Sequence, residues 1–281
     1  MKSIALIAAC CIAAVPLTAA PAVAAETDAE FLEKVSPSIV TVKFILNVTM
    51  GGGGGGMQQE VPVEIAGVLI DESGLVMMPA DALDMANRMR RNMRGRRGGR
   101  GGGGGGMGDM DIDAEASDMT VILGGEYDEH EAVLVAKDSN LSLAFLQLKD
   151  ASVAKGRPAI TFAKDATPKV GQELRTVTRF GEGFDFAPYF GKAQITGVVE
   201  QPRMMWSVQG RMSALGLPLF DSEGNAVGVM STQEDPMGGG GMGMGMGAGG
   251  MVFVMPASDV AAALEQARTR AAEMKKDMGE G

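Results

Sequence analysis

The chain has 281 residues, of which 35 are acidic and 25 basic, giving a formal charge of −10. That balance argues against general nucleic-acid binding. With 46% hydrophobic residues, 41 glycines and only two cysteines, it describes a protein with material for one large domain or two small ones and no disulfide framework. Residues 1–25 begin with Lys2, run through an apolar stretch from Ile4 to Val15, and end in Pro21-Ala22-Val23-Ala24-Ala25. A basic start, an apolar middle and small residues before a cut are the marks of a secretory signal peptide rather than a membrane span. Cleavage near Ala25 would make Glu26 the first mature residue and would remove both cysteines, Cys10 and Cys11.

Three glycine-rich tracts, at about 51–57, 88–110 and 237–251, divide the remainder. Each residue in such a tract loses much backbone entropy on ordering and buries little, so the tracts are expected to be loops without order of their own. Between them the sequence predicts short strands. Ser38–Leu46 and Val61–Ile70 flank the first tract as a long-looped hairpin would. Leu75–Met78, Met119–Leu123, Ala132–Ala136 and Leu143–Leu148 follow. Beyond these come Glu173–Thr178, Gly191–Val199, Leu217–Phe220, Ala226–Met230 and Val252–Met255. Strands in this number, punctuated by Gly and Asp turns, indicate an antiparallel barrel or sandwich. One helix is expected at about 258–278, capped by Ser258, with Val260, Leu264, Ala267, Ala271 and Met274 at helical spacing. Trp206, Phe184, Phe186, Tyr189 and Phe190 are expected in the core or in a cleft wall, and His130 on an exposed strand.

The order of segments then becomes informative. VSPSIVTVKF at 35–44 resembles the opening strand of the trypsin-like domain in bacterial peptidases of the HtrA/DegP type. AGVLIDESGLVMM at 66–78 is similar to that family's G-S-G-F-I-I-D-x-x-G-x-I-L-T hairpin. HEAVLVAKDSNLSLAFLQL at 130–148 resembles the strand pair ending in D-x-x-x-D-I-A-L-L-K. VGQELRTVTRFG at 170–181, FGKAQITGVV at 190–199, LPLFDSEGNAVGVMST at 217–232 and VFVMPASDV at 252–260 complete the series. The resemblance implies an all-β double barrel of the trypsin/chymotrypsin type with a cleft between barrels and a C-terminal helix. The first barrel would cover about 35–150 and the second about 157–256 of a domain spanning 26–281. The family's PDZ domain has no expected counterpart, because the sequence ends with the helix.

The same resemblance places the catalytic positions. Where the family has its histidine, in T-x-x-H-V, this chain has Asp81. Where it has its aspartate, opening D-I-A-L-L, the chain has Ser142. Where it has its serine, in G-x-S-G-G-P-L, the chain has Leu215. A serine hydroxyl is a poor nucleophile without a base to take its proton, and a carboxylate is too weak a base at neutral pH to replace imidazole. The chain holds one histidine, His130, some fifty residues past the family's position. Ser213 lies two residues before the nucleophile position, and Leu217 replaces an oxyanion-loop glycine. The expectation is a pseudoprotease that binds unfolded or extended polypeptide, needs no cofactor, and resides in the periplasm or outside the cell. The alternatives are a serine endopeptidase with unconventional catalytic residues and an envelope component that holds an anionic polymer.

Two loops supply further candidates. Arg88, Arg90, Arg91, Arg94, Arg96, Arg97 and Arg100 lie in an Arg-Gly tract, which reads either as a solvated loop or as one that binds an anionic polymer or lipid surface; specific nucleic acid is an odd target for an exported protein. Met242, Met244 and Met246 alternate with glycine and are weak candidates for a soft metal ion such as Cu(I), against the plainer reading of an unstructured loop.

Overall fold

A computed structural model describes residues 26–51, 57–84, 111–210, 214–233 and 251–279. The first element is helix α1, Asp28–Val35. The strands of one closed barrel follow: β1 Ile39–Gly51, β2 Met57–Leu69, β3 Leu75–Pro79, β4 Asp111–Ile122, β5 Glu129–Asp138 and β6 Leu143–Leu148. A second closed barrel comprises β7 Glu173–Arg179, β8 Pro188–Val199, β9 Met205–Gln209, β10 Pro218–Phe220, β11 Ala226–Gln233 and β12 Met251–Pro256, and helix α2, Ala257–Gly279, closes the described chain. The strand order is β1-β2-β3-β6-β5-β4 in one barrel. In the other it is β7-β8-β9-β12-β11-β10, the same path repeated.

Alternation explains the interiors. Along β1, Val40, Val42, Phe44, Leu46 and Val48 point into the first barrel, where they meet Leu69, Val76, Met78, Val121 and Leu146. The second interior is built from Leu174, Ile195, Trp206, Leu219, Val227, Met230 and Val254. A third cluster lies outside both barrels, between them and the helices. It joins Ile39, Leu75, Met77, Leu143 and Phe145 to Phe162, Val177, Phe220 and Val229, and to Phe31 of α1 and Val260, Leu264 and Ala267 of α2. Strands β3 and β6 therefore bury both faces, which is why they read in the sequence as unbroken apolar runs.

Polar contacts brace the same seam. Arg179 donates from Nε to the Ile39 carbonyl (2.8 Å), from Nη2 to that of Ser36 (2.7 Å) and from Nη1 to that of Phe186 (2.8 Å). Burial holds its guanidinium pKa below the ordinary arginine value. Lys43 of β1 bridges Glu129 and Glu182, each at 3.0 Å. Its hydrogen bond to Glu182 raises the ammonium pKa, and the bond from Lys43 in turn lowers the carboxyl pKa of Glu129.

The structure departs from sequence expectation at several places. Helix α1 was not anticipated, although Thr27 and Glu30 form a capping box that starts it: Thr27 N–H donates to Glu30 (2.8 Å) and Glu30 N–H to Thr27 Oγ1 (3.3 Å). Strand β9 was not anticipated either. Helix α2 begins at Ala257, so Ser258 sits in its first turn and does not cap it. Phe186 and Trp206 are buried, but Phe184 is 70% exposed and Phe190 37%; β8 alternates, and the turn before it sends Phe184 outward and Phe186 inward.

Candidate active-site cleft

The end of β3 and the start of β6 lie side by side. Pro79 pairs with Leu143, and the Ala80 N–H donates to the Ser142 carbonyl at 2.8 Å. A short 3-10 turn, Ala80–Ala82, then carries Asp81, while Ser142 adopts a left-handed backbone (φ 54°) as the chain turns into β6. Both side chains therefore belong to one end of the first barrel.

The second barrel brings its loop to the same place. Leu215 bridges Met230 of β11 in parallel, with the Gly216 N–H on the Met230 carbonyl at 2.7 Å. Gly216 has φ +72° and lies against Pro79, so a Cβ there would stand 2.6 Å from Pro79 N and 2.7 Å from its Cα. Only a glycine fits this approach. Thr232, two residues beyond Met230, donates from its hydroxyl to Asp81 Oδ2 at 2.8 Å. Beside it, Arg203 and Gln233 both donate to the Asn140 carbonyl, the second at 3.2 Å. The structure thus brings Asp81, Ser142 and Leu215 together across the seam. We expect Gly216→Ala to lower stability by roughly 1–3 kcal/mol, since the methyl meets fixed backbone; an unchanged thermal midpoint would show that the two barrels do not close on Pro79.

The chemistry available at this point is limited. The three positions at the seam hold a carboxylate, a serine and a leucine, the last packed against the second barrel's interior, with no imidazole among them. His130 is the second residue of β5, whereas Asp138 at the other end pairs with Leu143. At about 3.3 Å per residue that separation is on the order of 25 Å. His130 is half-buried rather than exposed, and its Nε2 has no hydrogen-bond partner. Leu217 is buried, and its N–H is turned onto the Ala214 carbonyl at 3.0 Å, so that amide is held within its own turn. Ser213 lies outside the described residues.

The family model for the trypsin-like peptidase domain matches residues 67–229, more than half of the chain and a span that includes Asp81, Ser142 and Leu215. The chain belongs to the trypsin-like peptidase domain family. No curated protein is significantly similar to it in sequence. The two closed six-stranded barrels with the same strand path are the architecture of such a domain.

The other sequence candidates fall elsewhere. Arg88, Arg90, Arg91, Arg94, Arg96, Arg97 and Arg100 and Met242, Met244 and Met246 lie outside the described residues. The segment carrying the arginines is flanked by Asp84, which pairs with Lys137 near the cleft, and by Asp111 at the start of β4. Among the described residues, no group of three or more His, Cys, Asp or Glu side chains is arranged to hold a metal ion. Sequence reasoning did not foresee Thr232 as the partner of Asp81, because 151 positions separate them.

Proposed function

We infer that this trypsin-like domain is an exported, catalytically inactive relative of the HtrA/DegP peptidases, and that it holds extended polypeptide without cutting it. One observation carries the reading: the positions the resemblance assigns to histidine, aspartate and serine are Asp81, Ser142 and Leu215, gathered at one seam with no imidazole in reach. Acyl transfer needs a nucleophile deprotonated by an adjacent base. Leu215 offers no nucleophilic atom, and Asp81 accepts a hydrogen bond from Thr232.

Binding is supported by the edge that remains. Strand β10 pairs with β11 no further than Pro218 opposite Val229, whereas β11 continues to Gln233 against β12. Among the described residues, Ser231–Gln233 pairs with β12 on one side only, and an extended chain can add to the other. Export is supported by the basic, apolar and small-residue sequence of residues 1–25.

The test is to incubate the purified protein with a fluorescent unfolded protein, following anisotropy for retention and gel fragments for cleavage over hours. Retention without fragments is expected. Accumulating fragments would overturn the inactive assignment, and free tumbling of the unfolded protein would overturn the holding role.

A further inference from the structure

Strand β2 is far longer than the barrel uses. It pairs with β1 from Met57 to Val68, but with β3 only at Val68 and Leu69. Among the described residues no strand pairs with its outer edge between Met57 and Gly67, a length of roughly 30 Å at about 3.3 Å per residue. An antiparallel strand bonded on one side directs alternate N–H and C=O groups away from its partner, so among the described residues this edge presents a row of backbone groups with no strand partner. Pro62 lies within it, as proline does on edges, and interrupts the row of donors.

The side chains along this edge are sorted by face. Gln58, Glu60, Pro62 and Glu64 are exposed on one face; Val61, Val63 and Ile65, on the other, are half-buried against the first barrel's core. Across β1 the polar face continues through Asn47 and Thr49 to Glu115 and Asp113 of β4, which line one concave surface with Gln58 and Glu60. At its inner end the edge reaches an exposed aromatic group. The Glu182 N–H donates to Glu64 at 3.0 Å. The turn that follows carries Phe184, 70% exposed, which packs at 5.5 Å on Phe180, itself stacked on Tyr189 at 4.2 Å. Aromatic surface left open beside a polar rim is a mark of an interaction site.

We propose that the outer edge of β2, from Met57 to Ala66, is a strand-addition site for an extended polypeptide whose basic residues alternate with apolar ones and which sets an apolar side chain on Phe180 and Phe184. Main-chain bonds hold the guest, the alternation matches Glu60 and Glu64 on one face and Val61 and Val63 on the other, and the acidic face selects the charge. A second copy of the chain is a poor guest, because it would set Glu60 and Glu64 against the same acidic row. Resting on the proposed holding role, the site gives that role a location and a preference.

The experiment uses a fluorescent ten-residue peptide alternating Lys and Val with a terminal Phe. It is compared with a twin carrying Glu for Lys and with a twin N-methylated at alternate amides. The lysine peptide is expected to bind, the N-methylated twin at least tenfold more weakly, and a Gln58→Lys/Glu60→Lys protein to lose at least tenfold for the lysine peptide while gaining for the glutamate one. Equal binding of the N-methylated twin, or affinity unchanged in the double variant, would overturn the proposal. So would dimers in sedimentation that the double variant dissociates, since a second copy would then own the edge. Retention of unfolded protein without any binding of the lysine peptide would overturn this site alone; loss of both would remove the holding role as well.

Discussion

Replacing Arg179 by alanine is expected to lower the unfolding free energy by roughly 3–5 kcal/mol, more than any other single polar change at the seam. Its guanidinium, on β7 of the second barrel, meets the carbonyls of Ser36 and Ile39 at the entrance to the first barrel and that of Phe186 in its own. Each bond has a charged donor, worth more than a neutral one, and the deletion leaves buried carbonyls without a partner. Gly125 packs on the same group, with Arg179 Nη1 3.2 Å from the place a Cβ would take, so the variant also opens a void. Arg179→Lys should recover less than half of the loss, because an ammonium cannot reproduce the fork that spans three acceptors. Urea denaturation checks both variants. A loss under about 1 kcal/mol for the alanine protein would mean that apolar packing alone holds the barrels together.

The second large effect belongs to the N-terminal helix. Phe31 of α1 is fully buried, meets Phe220 edge-on at 5.3 Å, and lies 4.1 Å beneath the guanidinium of Arg175. Arg175 is itself buried and pairs with Glu26 at 3.1 Å and Asp28 at 3.7 Å. Phe31→Ala should cost about 3–5 kcal/mol, from lost burial, the empty volume and the loss of the ring under a desolvated cation. Hydrogen exchange in Asp28–Val35 should accelerate by orders of magnitude, while the first barrel's β6 stays protected. Phe31→Leu should keep most of the stability. If the helix amides of Phe31→Ala remain protected, the acidic residues at its start, rather than the ring, hold α1 in place.

These two positions also show how much of the molecule could be read from sequence. The apolar runs Leu75–Met78 and Leu143–Leu148 identified β3 and β6 almost to the residue, because strands buried on both faces leave no ambiguity of phase. The class of fold was legible for the same reason. Less visible were elements that depend on distant partners. Strand β1 continues through Asn47 and Thr49, and β2 begins at Met57, because each supplies the other's ladder out to the Met50–Met57 pair; glutamine and glutamate there carry little strand preference. Strand β9, Met205–Gln209, breaks its apolar residues with Ser207 and Gln209 and so offered no apolar run to read. Helix α1 did have a local signal, the Thr27-x-x-Glu30 box before Phe31 and Leu32, which the search for strands passed over. At the cleft, Asp81, Ser142 and Leu215 could be picked out from the order of motifs. Their meeting rests on Gly216 against Pro79 and on Thr232 with Asp81, contacts between barrels that no local pattern encodes.

The measurement that bears most directly on the inactive assignment is the stoichiometry of labelling by a fluorophosphonate, which forms a stable bond only to an activated serine. Wild-type protein should be compared with a Ser142→Ala/Ser213→Ala variant under identical conditions over hours. If the domain is inactive as proposed, neither protein takes up label. Label approaching one per chain on the wild type and none on the variant would contradict the account, and would make Ser142 or Ser213 a working nucleophile.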